Sequence, residues 1–313
     1  MFGDVVQKLT NDEISKDTNS KKIDNNTEEK SSQTVMENQE CMMLIPLNTS
    51  LTIIGPTFIK KFRNSKIIKL AVIYILSLLI VAFSFCQILR ITRQKNKTLE
   101  LMAQVSNYIT EANNSDIQEN EEHAVSDNRY VVDFDSLKKI NPDTKSWLIV
   151  NGIGIDFPIV QGTNNEYYLK HSLDKSYNVC GWAFLDYRNK LDGTDKNMII
   201  YGHNRRDGTM FSSMTKILEP DWYNNEENNY ITFITEEGEV TYEVFSVYQV
   251  KVEDYYIQTN FNSDEEYQGF LKTLKSRSIK NYNVDLTTED KILTISTCGN
   301  ENKYRIVLHA KKI

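Results

Sequence analysis

ILTISTC, residues 292–298, followed after the five residues GNENK by YRIVLHA, residues 304–310, is the stretch of this 313-residue chain on which the fold turns. Both runs alternate apolar with polar residues, the period-two pattern of a strand that buries one face. The connection is short enough for the two runs to pair as neighbours, which sets Cys298 and Arg305 near each other at one end of a sheet. A cysteine at a strand end, where the chain passes into a loop, is presented by a rigid element. An arginine beside it favours negative charge, both on a thiolate and on an oxyanion that develops in acyl transfer. Taken singly, Cys298 fits a small buried apolar residue as well, and Arg305 a surface charge on a strand.

A thiol of ordinary pKa, about 8.5, is only a few per cent thiolate at neutral pH and needs a base or a positive charge nearby. The segment NMIIYG, 197–202, is another apolar run, and it ends in His203-Asn204. His203 is the candidate partner. The other histidines fit less well: His123 lies in a polar linker, His171 at a polar helix end and His309 inside an alternating strand. Cys180, in NVCGWAF, has no obvious base beside it and is expected to be structural. The residues flanking the candidate pair, Tyr201, Asn204, Ser296 and Thr297, are candidate substrate-binding positions.

Working outward, further strand-type runs occur at 146–150 (SWLIV), 154–160 (GIDFPIV), 230–235 (YITFIT) and 240–250 (VTYEVFSVYQV). Glu236-Glu237-Gly238-Glu239 reads as a hairpin turn between the last two. Helical patterns are few, around 135–140, 164–170, 211–218 and 264–276. Many short strands with a few helices predict a mainly β domain, a barrel or sandwich decorated by helices, over residues 130–313. At that size it supports one good core.

Upstream lies a different kind of sequence. Residues 70–89 (LAVIYILSLLIVAFSFCQIL) carry no charge over 20 positions, about the length that crosses a hydrocarbon core of roughly 30 Å. Lys60, Lys61, Arg63, Lys66 and Lys69 precede this run, and Arg90, Arg93, Lys95 and Lys97 follow it. Isolation between polar segments disfavours a buried core helix. Ala82-Phe83-Ser84, loosely a signal-peptidase site, falls inside the apolar run, so an uncleaved transmembrane anchor is expected. Five basic residues before against four after favour a cytoplasmic N-terminus and an extracellular C-terminal part. Residues 1–69 read as a polar tail, disordered in its first 40 positions and basic at its membrane end. Residues 90–129 read as a stalk with a helical period (Leu99, Leu101, Met102, Val105, Ile109) leading into a polar linker.

Composition removes other classes. With 36 basic and 43 acidic residues the net charge is −7, and the basic clusters flank the apolar run, which points to lipid headgroups and not to nucleic acid. Four scattered cysteines (Cys41, Cys86, Cys180, Cys298) form neither a disulfide framework nor a CxxC metal pair. No HExxH, P-loop or GxGxxG motif occurs, so no metal or cofactor is expected.

The motifs in their order, YGHN at 201–204 and then Ser296-Thr297-Cys298 with Arg305 after a short loop, resemble the sortase family. The stretches 168–189 (YLKHSLDKSYNVCGWAFLDYRN), 198–214 and the helical insertion 263–278 are similar to its class B in particular. The resemblance spans residues 130–313. It implies an eight-stranded sortase barrel on a membrane tether at the outside of a Gram-positive-type cell. It implies a cysteine transpeptidase whose substrate is a surface protein with a C-terminal sorting motif. Cys298 would attack the carbonyl of the motif's threonine to form a thioacyl-enzyme. A peptidoglycan cross-bridge amine, or its lipid-linked precursor, would then accept the protein. His203 would act as acid and base, and Arg305 would hold the oxyanion. The nearest rival is a papain-like or wall-hydrolysing cysteine peptidase, but there the cysteine precedes the histidine and opens a helix. A membrane-anchored binding module is a further alternative, and it has no need of Cys, His and Arg at three strand ends.

Overall fold

The computed structural model describes residues 65–112, 129–298 and 303–313, with Cys298 given by its backbone. The expectations for the tail up to residue 64, for most of the linker and for the loop after Cys298 lie outside the described residues. Helix α1 runs unbroken from Ser65 to Val105, over a stretch that contains neither Gly nor Pro. Its apolar section, including Leu70, Ile80 and Phe85, is exposed. Among the described residues it is the one helix long and apolar enough to cross a membrane. The last turns of α1 behave differently, since Thr98 is fully buried and Leu101 and Val105 join the main core. The anchor and stalk stretches therefore share one helix. Ile109, read above as part of the helical period, instead belongs to β1 (Ile109–Glu111), which pairs antiparallel with β2 (Tyr130–Val132).

Helix α2 (Phe134–Ile140) starts at Asp133, whose side chain accepts the Ser136 amide. Eight strands follow and close a barrel: β3 (Thr144–Val150), β4 (Ile155–Val160), β5 (Phe184–Leu185), β6 (Asn197–Gly202), β7 (Tyr230–Thr235), β8 (Gly238–Lys251), β9 (Ile292–Cys298) and β10 (Tyr304–Lys312). Their spatial order is β10-β8-β7-β3-β4-β5-β6-β9, with β10 and β9 joined to complete the ring. The expected mainly β barrel with eight strands is what forms. Most pairings are antiparallel. β4–β5 and β6–β9 are parallel. The turn at 236–237 does close the β7–β8 hairpin, with Thr235 opposite Gly238.

Alternation along β10 divides the packing between two layers. Ile306 and Leu308 join the main core with Leu148, Phe233 and Ile295. Val307 faces a second cluster built from Phe245 and Tyr248 of β8 and from Tyr267, Phe270, Leu271 and Leu274 of α3 (Asp264–Ser276). Ser263 caps α3 by accepting the Glu266 amide. The helix expected at 164–170 is a single 3-10 turn, Tyr167–Leu169. Asn164 Oδ1 accepts the amides of Glu166 and Tyr167 at 2.9 Å each, which ties this segment into a polar loop. The stretch 211–218 is likewise 3-10 and not α-helical.

Candidate active site

Two of the candidate residues, Cys298 and Arg305, stand on strands that are neighbours in the ring, and His203 directly follows β6, the strand beside β9. In the β9–β10 ladder Arg305 is the Cα partner of Cys298, and Ile306 that of Thr297. In the parallel β6–β9 ladder Tyr201 lies opposite Ser296 and Gly202 opposite Thr297. His203 and Cys298 are the residues that follow this last pair on their two strands. Strand register alone brings the ends of β6, β9 and β10 together.

Loop contacts fix the His203 ring. Its Nε2 lies 2.8 Å from the carbonyl oxygen of Leu169. A carbonyl only accepts, so Nε2 carries the proton and the neutral ring keeps its lone pair on Nδ1. The pKa is lowered, chiefly by burial; the Leu169 bond opposes this, and the charges of Arg205 and Arg305 push it down further. The ring is thus held neutral at neutral pH, close enough to Arg305 to feel its charge. Arg305 itself is half-buried and donates from Nη1 to the Tyr304 carbonyl at 3.3 Å. No carboxylate among the described residues pairs with it.

The backing of His203 depends on a glycine. Gly181 has φ +64°, and a Cβ there would stand 2.6 Å from the Tyr168 carbonyl oxygen, 3.0 Å from that of Leu169 and 3.1 Å from His203 Cδ2. Its neighbour Cys180 is buried and free, with its amide bonded to Asn178 Oδ1. Below His203, Phe211 donates its amide to the His203 carbonyl. Phe211 also fills the space at Gly202, where a Cβ would meet its ring at 2.5 Å. Arg205 clamps the following turn, bonding the Val179 carbonyl and the Asp207 carboxylate.

The four flanking candidates divide by their partners. Thr297 Oγ1 donates to the Gly202 carbonyl at 2.6 Å, stitching β9 to β6. Ser296 Oγ meets Tyr256 OH at 3.0 Å. Tyr201 OH donates to Asp186 Oδ2 at 2.9 Å. These three hydroxyls bond within the protein. Asn204 differs, for its Nδ2 is buried without a hydrogen-bond partner among the described residues.

Two buried polar groups escaped the sequence. Asp186, fully buried, receives Arg188 Nε and Nη2, Asn165 Nδ2 and Tyr201 OH. Burial raises its pKa, but the Arg188 and Tyr201 bonds outweigh that and hold the carboxyl below its usual range. His309, also fully buried, has Nε2 on Tyr248 OH at 2.8 Å and Nδ1 on Thr294 Oγ1 at 2.9 Å. Thr294 in turn donates to Asn197 Oδ1. Burial pushes the His309 pKa down to about 3, so it is a neutral structural link between β8, β9 and β6. Leu169, acting through its backbone, carries no side-chain signal at all. Gly181 and Arg205 stood in the quoted motifs with nothing in their spacing to mark their partners.

A family model for the sortase domain matches residues 148–313. The chain is similar to sortase B of Staphylococcus aureus, 37% identical over 183 residues that make up 58% of this chain and 74% of that relative. It is similar also to sortase B of Listeria monocytogenes, 38% identical over 182 residues, 56% of this chain and 72% of the other. Among solved structures, sortase B from Bacillus anthracis in complex with AAEK1 superposes with a TM-score of 0.59 at 30% identity, covering 71% of this chain and 99% of that one. Clostridium perfringens sortase B gives 0.55 at 40% identity, with coverage of 57% and 99%.

Proposed function

The chain belongs to the sortase family, as a class B sortase transpeptidase of the cell wall, and from that premise we propose that Cys298, His203 and Arg305 carry its chemistry. The observation that supports this is the register: Arg305 opposite Cys298, with His203 one step beyond the Gly202–Thr297 pair.

In this proposal the Cys298 sulfur attacks the carbonyl of the threonine in a C-terminal sorting motif. The S–C bond forms, and the oxyanion is met by the Arg305 guanidinium, which has no described carboxylate to compete for it. The proton from the thiol passes to His203 Nδ1, because Nε2–H is committed to the Leu169 carbonyl. His203 returns it to the departing amine as the C–N bond breaks, leaving a thioacyl-enzyme. An amine from a peptidoglycan cross-bridge or its lipid-linked precursor then gives up a proton to His203 and attacks. A new C–N bond forms and the thiol is released. Tyr201, Ser296 and Thr297 position this site through their internal bonds, and the unpaired Asn204 amide is the flanking group free to bind substrate. No step calls on a metal or cofactor.

In the same reading residues 70–89 span the membrane, 1–69 form a cytoplasmic tail, 90–129 the stalk and linker, and 130–313 an extracellular catalytic domain. The substrates are surface proteins that bear a sorting motif.

The test incubates residues 98–313, and the Cys298→Ala variant, with quenched peptides carrying sorting-type motifs, with and without an amine acceptor, followed by mass spectrometry. Cleavage after threonine with acceptor-dependent ligation, lost in the variant, is expected. Cleavage without ligation to any amine would move the assignment to a hydrolase. No reaction and no thioacyl adduct would leave a binding module.

A further inference from the structure

The height of the barrel above the apolar run is set by contacts at the base of α1. Arg90 is the first charged residue after Leu89, and its guanidinium lies 5.6 Å from the ring centroid of Tyr177. Tyr177 belongs to the barrel and not to the helix. The loop that carries it is lashed to α1 higher up, where Lys97 bridges Asp174 and Ser176 and Asn178 Nδ2 donates to the buried Thr98 hydroxyl. With a rise of 1.5 Å per residue, Thr98 stands about 12 Å above Arg90 along the helix. The loop spans that interval, so its lower edge comes level with the end of the apolar run.

That lower edge has a particular chemistry. Tyr177 is 52% exposed and Tyr167 is 37% exposed. His171 stacks on Tyr167 at 3.9 Å and stands edge-on to Tyr177 at 6.1 Å, which joins the three rings into one cluster. Arg90 lies against it and Lys170 precedes His171 in the loop, while Arg93 and Lys95 follow on α1; none of the four is in an ion pair with a described carboxylate. Lys97 is tied to Asp174 and Lys175 to Asp143, and Glu166 stands just ahead of the loop. The balance is basic. Amphipathic aromatic rings among basic side chains, at the level where an apolar helix ends, match the headgroup layer of an anionic bilayer.

We propose that the loop 167–178 is a second membrane contact, with Tyr167, Tyr177 and Lys170 lying among anionic lipid headgroups beside the exit of α1. The inference rests on the reading that residues 70–89 cross the membrane. The same loop supplies the Leu169 carbonyl that orients His203, and Gly181 just beyond it backs the ring. The acid/base residue is therefore seated on the lipid-facing side of the barrel.

The experiment uses the full chain in vesicles of phosphatidylcholine, with and without phosphatidylglycerol, and a nitroxide quencher on the headgroup. Trp147, Trp182 and Trp222 are all buried and give a constant background. Tyr177→Trp is the reporter. Tyr230→Trp is the reference, exposed beside Arg129 beyond the far end of α1. Headgroup nitroxide is expected to quench the Tyr177→Trp protein about twofold or more above the reference, and more with phosphatidylglycerol than without. Adding Lys170→Glu with Arg93→Glu should remove the gain due to the anionic lipid. Protein that co-floats with vesicles yet shows equal quenching for the two reporters would overturn the proposal while the anchor stands. Protein that fails to co-float would overturn the anchor and the proposal with it.

Discussion

Lowering the pH should destabilise this barrel through a residue outside the candidate site, His309. In the native state burial keeps it neutral down to about pH 3, whereas an unfolded chain protonates a histidine near the ordinary value of 6.5. Between those values the unfolded state binds one more proton than the native state, so unfolding is favoured as pH falls. The stabilising contribution is complete above about pH 6.5 and shrinks by about 1.4 kcal/mol per unit below it, reaching roughly 3 kcal/mol lost by about pH 4.5. Against a typical domain stability of about 5–15 kcal/mol that is a large fraction. The neutral ring bonds Tyr248 OH at Nε2, leaving Nδ1–H to the Thr294 hydroxyl. Protonation would put a second donor at Nε2 and break the polarity of that chain. The assay is urea unfolding of residues 90–313 from about pH 7.5 to about pH 4.5, for the natural protein and for His309→Gln, which keeps a donor and an acceptor. The variant starts less stable but should lose about 3 kcal/mol less over the acid half of the range. His203, with its pKa also lowered, and carboxylates such as Asp186 titrate in both proteins and cancel in the comparison. Equal losses in the two would refute the reasoning.

Gly181→Ala forces a left-handed backbone on a residue with a Cβ and drives that carbon toward the Tyr168 and Leu169 carbonyls. It should cost about 1–3 kcal/mol in unfolding free energy and lower kcat more than it changes KM, since the displaced carbonyl is the one that holds His203. Asp186→Asn leaves Arg188 without its carboxylate, and because that arginine is about a third exposed the loss should be about 2 kcal/mol, read as a shift in urea midpoint. Lys97→Ala removes an exposed ion pair and should change stability by less than about 1 kcal/mol. Thr98→Val, which strips a buried hydroxyl from Asn178, should cost about 1–3 kcal/mol in the same titration.

Strand identity was legible wherever alternation ran for five residues or more. The runs at 197–202, 230–235 and 292–298 coincide with strands, and the run at 146–150 lies within one that starts two residues earlier. ILTISTC holds as a strand to Cys298 because Arg305 and Ile306 supply partners for its last two positions. Phe184–Leu185 was invisible for the opposite reason. Two residues carry no period, and this strand exists only by bridging β4 and β6. The β1–β2 pair was hidden by Ile109 falling in step with the helical stripe of α1. At the candidate site, Cys298, His203 and Arg305 could be named from strand ends and short spacing. The Leu169 carbonyl and the Gly181 backing could not, because a backbone acceptor leaves no mark in residue type and a glycine's need for φ above zero shows only in three dimensions.

The parallel pairing of β6 with β9 joins segments about 95 residues apart, Gly202 opposite Thr297. Contacts of such long range form late, after the loop-closure entropy of the intervening chain has been met. Until β9 slots beside β6, His203, just after β6, and Cys298, at the end of β9, belong to separate parts of the chain. On the proposal that Cys298 and His203 act together, their meeting waits on the closure of the ring.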